Sequence, residues 1–101
     1  MAERRYPVRG EVDLARASEL QDELLGVINS TTDDLVLDCD GLEFVDSTGI
    51  AVFVHTQRVL ELQDRRLRVV NLSGMARRAF DLLGLGEVLA ISDDRAEPRA
   101  S

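Results

Sequence analysis

The segment Val45-Asp46-Ser47-Thr48-Gly49 contains the residues whose types and order are best suited to chemistry. It lies between an apolar, β-like stretch and the start of a helical pattern. The first N–H groups of a helix and the positive end of its dipole suit a phosphate group. Two interpretations follow for Ser47. It either caps the helix and does nothing more, or it is a phosphorylation site.

Catalytic roles for Ser47 have little support in the sequence. A serine hydrolase needs a base beside its nucleophile, and the single histidine, His55, lies about two turns further along the same predicted helix. The Gly-x-Ser-x-Gly motif of such enzymes does not occur. An aspartic protease needs a contiguous Asp-Thr-Gly, which Ser47 interrupts. We therefore predict that the protein is not an enzyme and has no catalytic residues.

A cluster of carboxylates offers a different chemistry. Asp38, Asp40, Glu43 and Asp46 could gather Mg²⁺, as in a receiver domain or a small metal-dependent phosphatase. A receiver domain also needs a lysine, and all twelve basic residues of this chain are arginine. The absence of lysine also excludes a Walker-type phosphate loop and a Schiff-base site. The main prediction is that no metal or cofactor is bound, with the metal-dependent phosphatase as an alternative from another class.

Composition and charge limit the partners. The chain has 101 residues, enough for one domain with a modest core. Its net charge is −7, which argues against nucleic acid and anionic membranes and favours a partner that presents Arg or Lys. The longest apolar run, residues 50–54, is too short to span a membrane, and no secretory signal is visible. The sequence therefore predicts a cytoplasmic protein.

Hydrophobic periodicity predicts a compact single-domain α/β fold, with a mixed sheet of about four strands packed by about three helices. The predicted strands are residues 8–12, 35–39, 67–72 and 88–91. The predicted helices begin near residues 14, 48 and 74, and the second ends near residue 64. We interpret residues 41–46 as a connector. In the third helix the apolar spacing predicts that Met75, Ala79, Leu82 and Leu83 face inward.

The first helix has the clearest pattern. Apolar residues recur at steps of three and four, and Asp13 stands where an N-cap belongs. The inward stripe comprises Ala17, Leu20, Leu24 and Ile28. For the whole chain we predict a domain at residues 8–91, a short lead at residues 1–7, and a polar, flexible tail at residues 92–101.

Five blocks of sequence, in this order, resemble the STAS domain, and more narrowly the bacterial anti-sigma factor antagonists. They are residues 10–13 (Gly-Glu-Val-Asp), 35–38 (Leu-Val-Leu-Asp), 44–50 (Phe-Val-Asp-Ser-Thr-Gly-Ile), 68–73 (Arg-Val-Val-Asn-Leu-Ser) and 77–85 (Arg-Arg-Ala-Phe-Asp-Leu-Leu-Gly-Leu). The resemblance implies a STAS-like fold. It also implies a partner-switching role, in which the unphosphorylated protein binds an anti-sigma factor and thereby releases a sigma factor. That partner is also a serine kinase that inactivates the antagonist, and a PP2C-type phosphatase reverses the modification.

The resemblance assigns roles to individual residues. Ser47 matches the phosphoacceptor, Asp46 flanks it, and Thr48 and Gly49 form the start of the helix. Asp13 matches an acidic residue that faces an arginine of the partner. Compared with the family, the chain looks short at both ends, since neither a strand before residue 8 nor a final helix is predicted. An alternative within the same fold is a STAS scaffold that is not phosphorylated and binds a ligand or a transporter.

Overall fold

The computed structural model describes residues 2–93. In chain order its elements are β1 (Glu3–Pro7), β2 (Gly10–Val12), α1 (Leu14–Ser30), β3 (Asp34–Asp38), β4 (Leu42–Val45), α2 (Ser47–Glu61), β5 (Leu67–Val70), α3 (Gly74–Leu82), a 3-10 turn (Leu85–Glu87) and β6 (Ala90–Ser92). Each crossover between neighbouring strands of the main sheet contains one α-helix. Within the described residues, no helix is both long and apolar enough to cross a membrane.

The strands form two sheets. The larger has the order β1-β3-β5-β6, and the smaller pairs β2 with β4. The predicted α/β architecture with three helices is confirmed. Every strand pair is parallel, where we had expected a mixed sheet. This follows from the connections, because a helical crossover returns the chain to the same end of the sheet before the next strand begins.

The first residues of the chain correct the sequence prediction. Residues 1–7 were expected to be only a lead, but Glu3–Pro7 form β1 at the edge of the main sheet, parallel to β3. An edge strand has one neighbour and stays largely exposed, so its charged residues do not alternate with apolar ones. Its backbone pairs with β3 over all five residues, and two ion pairs add to this: Arg5 lies 3.2 Å from Asp38, and Arg68 lies 3.0 Å from Glu3. Pro7 is tolerated because β1 lies at the edge of the sheet and has a neighbour on one side only.

The predicted connector at residues 41–46 is also wrong. It contains β4, which pairs with β2, and β2 is shorter than the strand predicted at residues 8–12. Both interior residues of β4, Glu43 and Phe44, are exposed while its end residues are buried. The sequence did not predict this strand, because a half-buried strand is recognised by strict alternation of apolar and polar residues.

The prediction for α1 is confirmed at its N-terminus and along its buried face. The Asp13 carboxylate accepts a hydrogen bond from the backbone N–H of Arg16 at 3.1 Å, and all four residues of the predicted stripe are buried. Arg65 lies near the other end of α1. Its guanidinium donates to the carbonyls of Ile28 (3.0 Å) and Asp33 (2.9 Å). Arg65 therefore satisfies a carbonyl in the last turn of α1.

The prediction for α3 is wrong for three of its four residues, and only Ala79 packs partly against the core. Its buried residues are Ala76 and Phe80, whereas Met75 and Leu82 are 68% and 80% exposed. Leu83, also expected to face inward, is 59% exposed. The large ring decides the orientation, since Phe80 packs edge-on against Phe53 of α2 with ring centroids 5.2 Å apart. The helix therefore has two apolar stripes, and only one of them is buried.

The C-terminal part of the domain differs in its details from the prediction. The strand expected at residues 88–91 lies at Ala90–Ser92 and follows a 3-10 turn. Gly84, with φ of 67°, turns the chain after α3. Most of the predicted flexible tail, residues 94–101, and the position where a final helix was judged missing fall outside the described residues.

Candidate functional site

Two aspartates lie side by side where β2 and β4 end. The strands are parallel and pair Val12 with Val45, so the residues that follow them, Asp13 and Asp46, leave the sheet at the same edge. The backbone N–H of Asp46 donates to the Val12 carbonyl at 3.2 Å, which extends the pairing by one step. Each aspartate caps the next helix. The helices α1 and α2 therefore begin next to each other.

Asp46 makes the cap of α2. Its Oδ1 accepts hydrogen bonds from the backbone N–H groups of Thr48 (3.0 Å) and Gly49 (3.1 Å) and from the Thr48 hydroxyl (2.5 Å). The hydrogen bond from the Thr48 hydroxyl, followed by the one from the Gly49 N–H, lowers the pKa of the Asp46 carboxyl. The carboxylate is therefore ionised at neutral pH and holds the first turn of α2.

Ser47 is the first residue of α2, and its expected placement at the N-cap is wrong by one position. Asp46 occupies the cap because its carboxylate satisfies three donors, more than a hydroxyl could accept in the same place. Ser47 is exposed. In the part of the chain that the structure describes, its hydroxyl makes no hydrogen bond, whereas the hydroxyl of Thr48 is bound to Asp46. Of the two adjacent hydroxyls, only that of Ser47 is available to another molecule.

Gly49 is buried, and its role is to let α2 approach the small sheet. A Cβ at this position would lie 2.6 Å from Val45 Cγ2, 2.8 Å from Val12 Cγ1 and 2.8 Å from the Val12 carbonyl oxygen. These distances are too short for any side chain, and one of the atoms belongs to the backbone. Gly49 therefore allows the first turn of α2, and with it Ser47, to lie directly against the small sheet.

The surface beside Ser47 is shallow and largely apolar. One hollow of about 460 Å³ runs along α2 and is lined by Ser47, Ile50, Ala51, Val54, His55 and Arg58. A second, of about 350 Å³, lies between α1 and α2 and includes Leu14, Ser18 and Thr48. Leu14 is 72% exposed although it directly follows the Asp13 cap. An open surface of this kind suits contact with another protein better than enclosure of a small molecule.

The alternative catalytic groups do not assemble around Ser47. His55 is exposed and lies eight residues further along α2. Asp38 is engaged with Arg5 and with the Asn71 amide (3.0 Å), and Asp46 is engaged in its cap. Among the side chains that the structure describes, no three from His, Cys, Asp or Glu form a group that could hold a metal ion.

The family of the chain follows from its similarity to known proteins. The sequence profile of the STAS domain matches residues 4–97. The chain belongs to the STAS domain family. The match begins inside β1, which agrees with the strand at Glu3–Pro7 and not with a domain that starts at residue 8.

Several known proteins are similar to this STAS domain in sequence or in fold. It is 28% identical over 86 residues to the anti-sigma-B factor antagonist of Staphylococcus aureus, covering 85% of this chain and 80% of that protein. Its fold is similar to that of the anti-sigma factor antagonist SpoIIAA in its unphosphorylated form (TM-score 0.77, 23% identity, 91% of this chain and 79% of that one). The Bacillus cell fate determinant SpoIIAA in its phosphorylated form also has a similar fold (TM-score 0.70, 22% identity, 91% of this chain and 82% of that one). A sulfate transporter family protein of Wolinella succinogenes shares the fold (TM-score 0.74, 19% identity, 92% and 78%).

Proposed function

We propose that this STAS domain is an anti-sigma factor antagonist whose switch is Ser47. In its unphosphorylated form it binds an anti-sigma factor in the cytoplasm and thereby releases a sigma factor. The anti-sigma factor is also a serine kinase, and its phosphorylation of Ser47 ends the interaction until a PP2C-type phosphatase removes the phosphate. The observation that carries this proposal is the exposed hydroxyl of Ser47. This hydroxyl does not cap α2, because Asp46 occupies the N-cap position. The named relatives support the same role.

The electrostatics of the α2 N-terminus explain how such a switch would act. A phosphate on Ser47 adds about −1.5 to −2 charge at the positive end of α2. The fold would tolerate it, because Ser47 is exposed and its side chain takes no part in the core. A partner surface fitted against Ser47 would not, because the phosphate dianion would be forced into a closely packed interface and lose its hydration. Loss of affinity by a factor of about 10² is the expected order, without a large conformational change.

The proposed partner-binding residues divide into two groups. Asp13 and Ser47 are exposed at the ends of neighbouring strands and can touch a partner directly. Asp46, Thr48 and Gly49 act mainly by position, because the first two form the cap and the third is buried beneath it. The surface meeting the partner thus combines a carboxylate, a hydroxyl and the hollows beside α2.

Titration calorimetry tests this proposal directly. The partner is the anti-sigma kinase encoded in the same genome, mixed with the unphosphorylated chain in the presence of nucleotide. We expect binding in the micromolar range or tighter, and displacement of the sigma factor from a preformed complex with the kinase. If the chain binds none of the anti-sigma factors of its genome, the proposal fails. The alternative, a scaffold that is not phosphorylated and serves a ligand or a transporter, would then take its place.

Asp13→Asn separates the capping role of Asp13 from its proposed contact with a partner arginine. Asparagine caps a helix as well as aspartate does but carries no charge. We expect an unchanged melting temperature and a partner affinity lowered by about 1.5–3 kcal/mol, because a charge-assisted hydrogen bond is lost. Calorimetry and thermal unfolding measure the two effects separately.

Asp22→Asn is the matched control for this variant. Asp22 is exposed on α1 and carries the same charge, but it lies about two and a half turns beyond the cap. Asp22→Asn should change neither the melting temperature nor the affinity for the partner. If Asp13→Asn binds and accepts phosphate like the wild type, Asp13 is only a cap and the interface lies elsewhere around Ser47.

A further inference from the structure

The second apolar stripe of α3 is exposed and needs an explanation. Met75 and Leu82 lie seven residues apart, so they fall on one side of the helix. They are 68% and 80% exposed. Neighbouring exposed side chains of this size on a soluble domain usually mark a surface that another molecule covers.

This stripe borders a hollow between α3 and β4. The hollow has a volume of about 220 Å³, and its other wall is formed by Phe44 and Val45 of β4. Phe44 is 38% exposed, so an aromatic face is available next to Met75 and Leu82. We call these residues, together with Arg78, the α3–β4 groove. The groove is predominantly apolar and open to solvent.

One positive charge lies in the groove. Arg78 lines it between Met75 and Leu82 and forms no ion pair with the side chains that the structure describes. The adjacent Arg77, by contrast, is paired with Asp81 at 3.2 Å. In a chain of net charge −7, an unpaired arginine beside three exposed apolar side chains is complementary to a segment that carries both apolar groups and a carboxylate.

A second copy of this chain fits the groove poorly. Two molecules of charge −7 repel each other. A two-fold contact along the α3 stripe would also bring Arg78 close to Arg78 of the other copy, because residues at the centre of such a contact meet their own equivalents. The charge of the groove therefore favours a different protein.

The groove adjoins the switch. Phe44 precedes Ser47 by three residues, so their Cα atoms are at most about 11 Å apart. A protein that covers Ser47 can therefore also reach the groove. Resting on the proposed function, we propose that the anti-sigma factor inserts an apolar, carboxylate-bearing segment into the α3–β4 groove as a second contact beyond Ser47.

Charge substitutions in the groove test this inference. Leu82→Glu and Met75→Glu place a carboxylate in the apolar contact, and Arg78→Glu reverses the groove's one positive charge. Each should lower the calorimetric affinity for the anti-sigma factor about tenfold while the melting temperature stays unchanged, since all three side chains are exposed. Leu62→Glu is the control, because Leu62 is 89% exposed and lies about 22 Å along α2 from Ser47. It should bind like the wild type.

The outcomes distinguish this inference from the proposed function. If the groove variants bind like the wild type while Ser47→Asp binds more weakly, the proposed contact in the groove is refuted and the proposed role of Ser47 is supported. If the wild type does not bind at all, both fail. If sedimentation shows a wild-type dimer that Leu82→Glu converts to a monomer, a second copy occupies the groove and the inference is overturned.

Discussion

Gly49→Ala should lower the free energy of unfolding by about 3 kcal/mol, the upper range for overpacking a buried site. The added methyl group would lie within 3 Å of two valine side chains and of the Val12 carbonyl oxygen. The side chains can shift, but the carbonyl belongs to β2 and cannot move without disturbing its pairing with β4. Denaturant unfolding followed by circular dichroism measures the change.

Gly26→Ala provides a control with the same chemical change. Gly26 lies inside α1, and a Cβ there meets nothing within 4 Å. Alanine should therefore raise the stability by about 0.5–1 kcal/mol, because it is the better helix former. Opposite signs for the two variants are expected. Equal effects would mean that α2 is not packed against the small sheet as described, and the explanation for the position of Ser47 would be lost.

Ser47→Asp should weaken binding to the anti-sigma factor at least tenfold, about 1.4 kcal/mol, with the fold unchanged. Aspartate carries only part of the charge of a phosphate, so full phosphorylation should cost about 10²-fold. The first turn of α2 accepts negative charge because the helix dipole points its positive end there. The loss of affinity is therefore expected at the interface and not in the stability of the domain.

Two controls accompany this variant. Ser47→Ala keeps the site neutral and should bind the anti-sigma factor like the wild type. Asn29→Asp adds the same single charge at the far end of α1, on an exposed residue, and should leave binding unchanged. Equal affinities for Ser47→Asp and the wild type would show that the partner does not cover Ser47.

The sequence predicted some elements correctly for identifiable physical reasons. In α1 a single capping residue, Asp13, precedes a single apolar stripe, so both the start and the buried face followed from the pattern. The start of α2 was displaced by one residue because Asp46 and Ser47 are adjacent and both are good caps. Only the geometry shows that the carboxylate collects three hydrogen bonds. The role of Gly49 was also hidden, since it depends on how closely α2 approaches Val12.

Other elements could not be predicted because their environment decides them. β1 is an edge strand rich in charge, and it is stabilised by partners as distant in sequence as Arg68. In α3 two apolar stripes compete, and Phe80 determines the buried one by packing on Phe53. The exposed residues Leu14 and Ala51 were missed as parts of the candidate site. Leu14 fits the apolar pattern of α1 and Ala51 lies within the apolar run of α2, so neither gave a signal of exposure.

Mapping of the phosphate by mass spectrometry tests the central claim most directly. The chain is incubated with ATP and the proposed anti-sigma kinase from its own genome, and the modified peptide is fragmented to locate the phosphate. The account predicts one phosphate on Ser47, little or none on Thr48, whose hydroxyl is bound to Asp46, and none on Ser47→Ala. A phosphate on Thr48, with Ser47→Ala still fully modified, would contradict it.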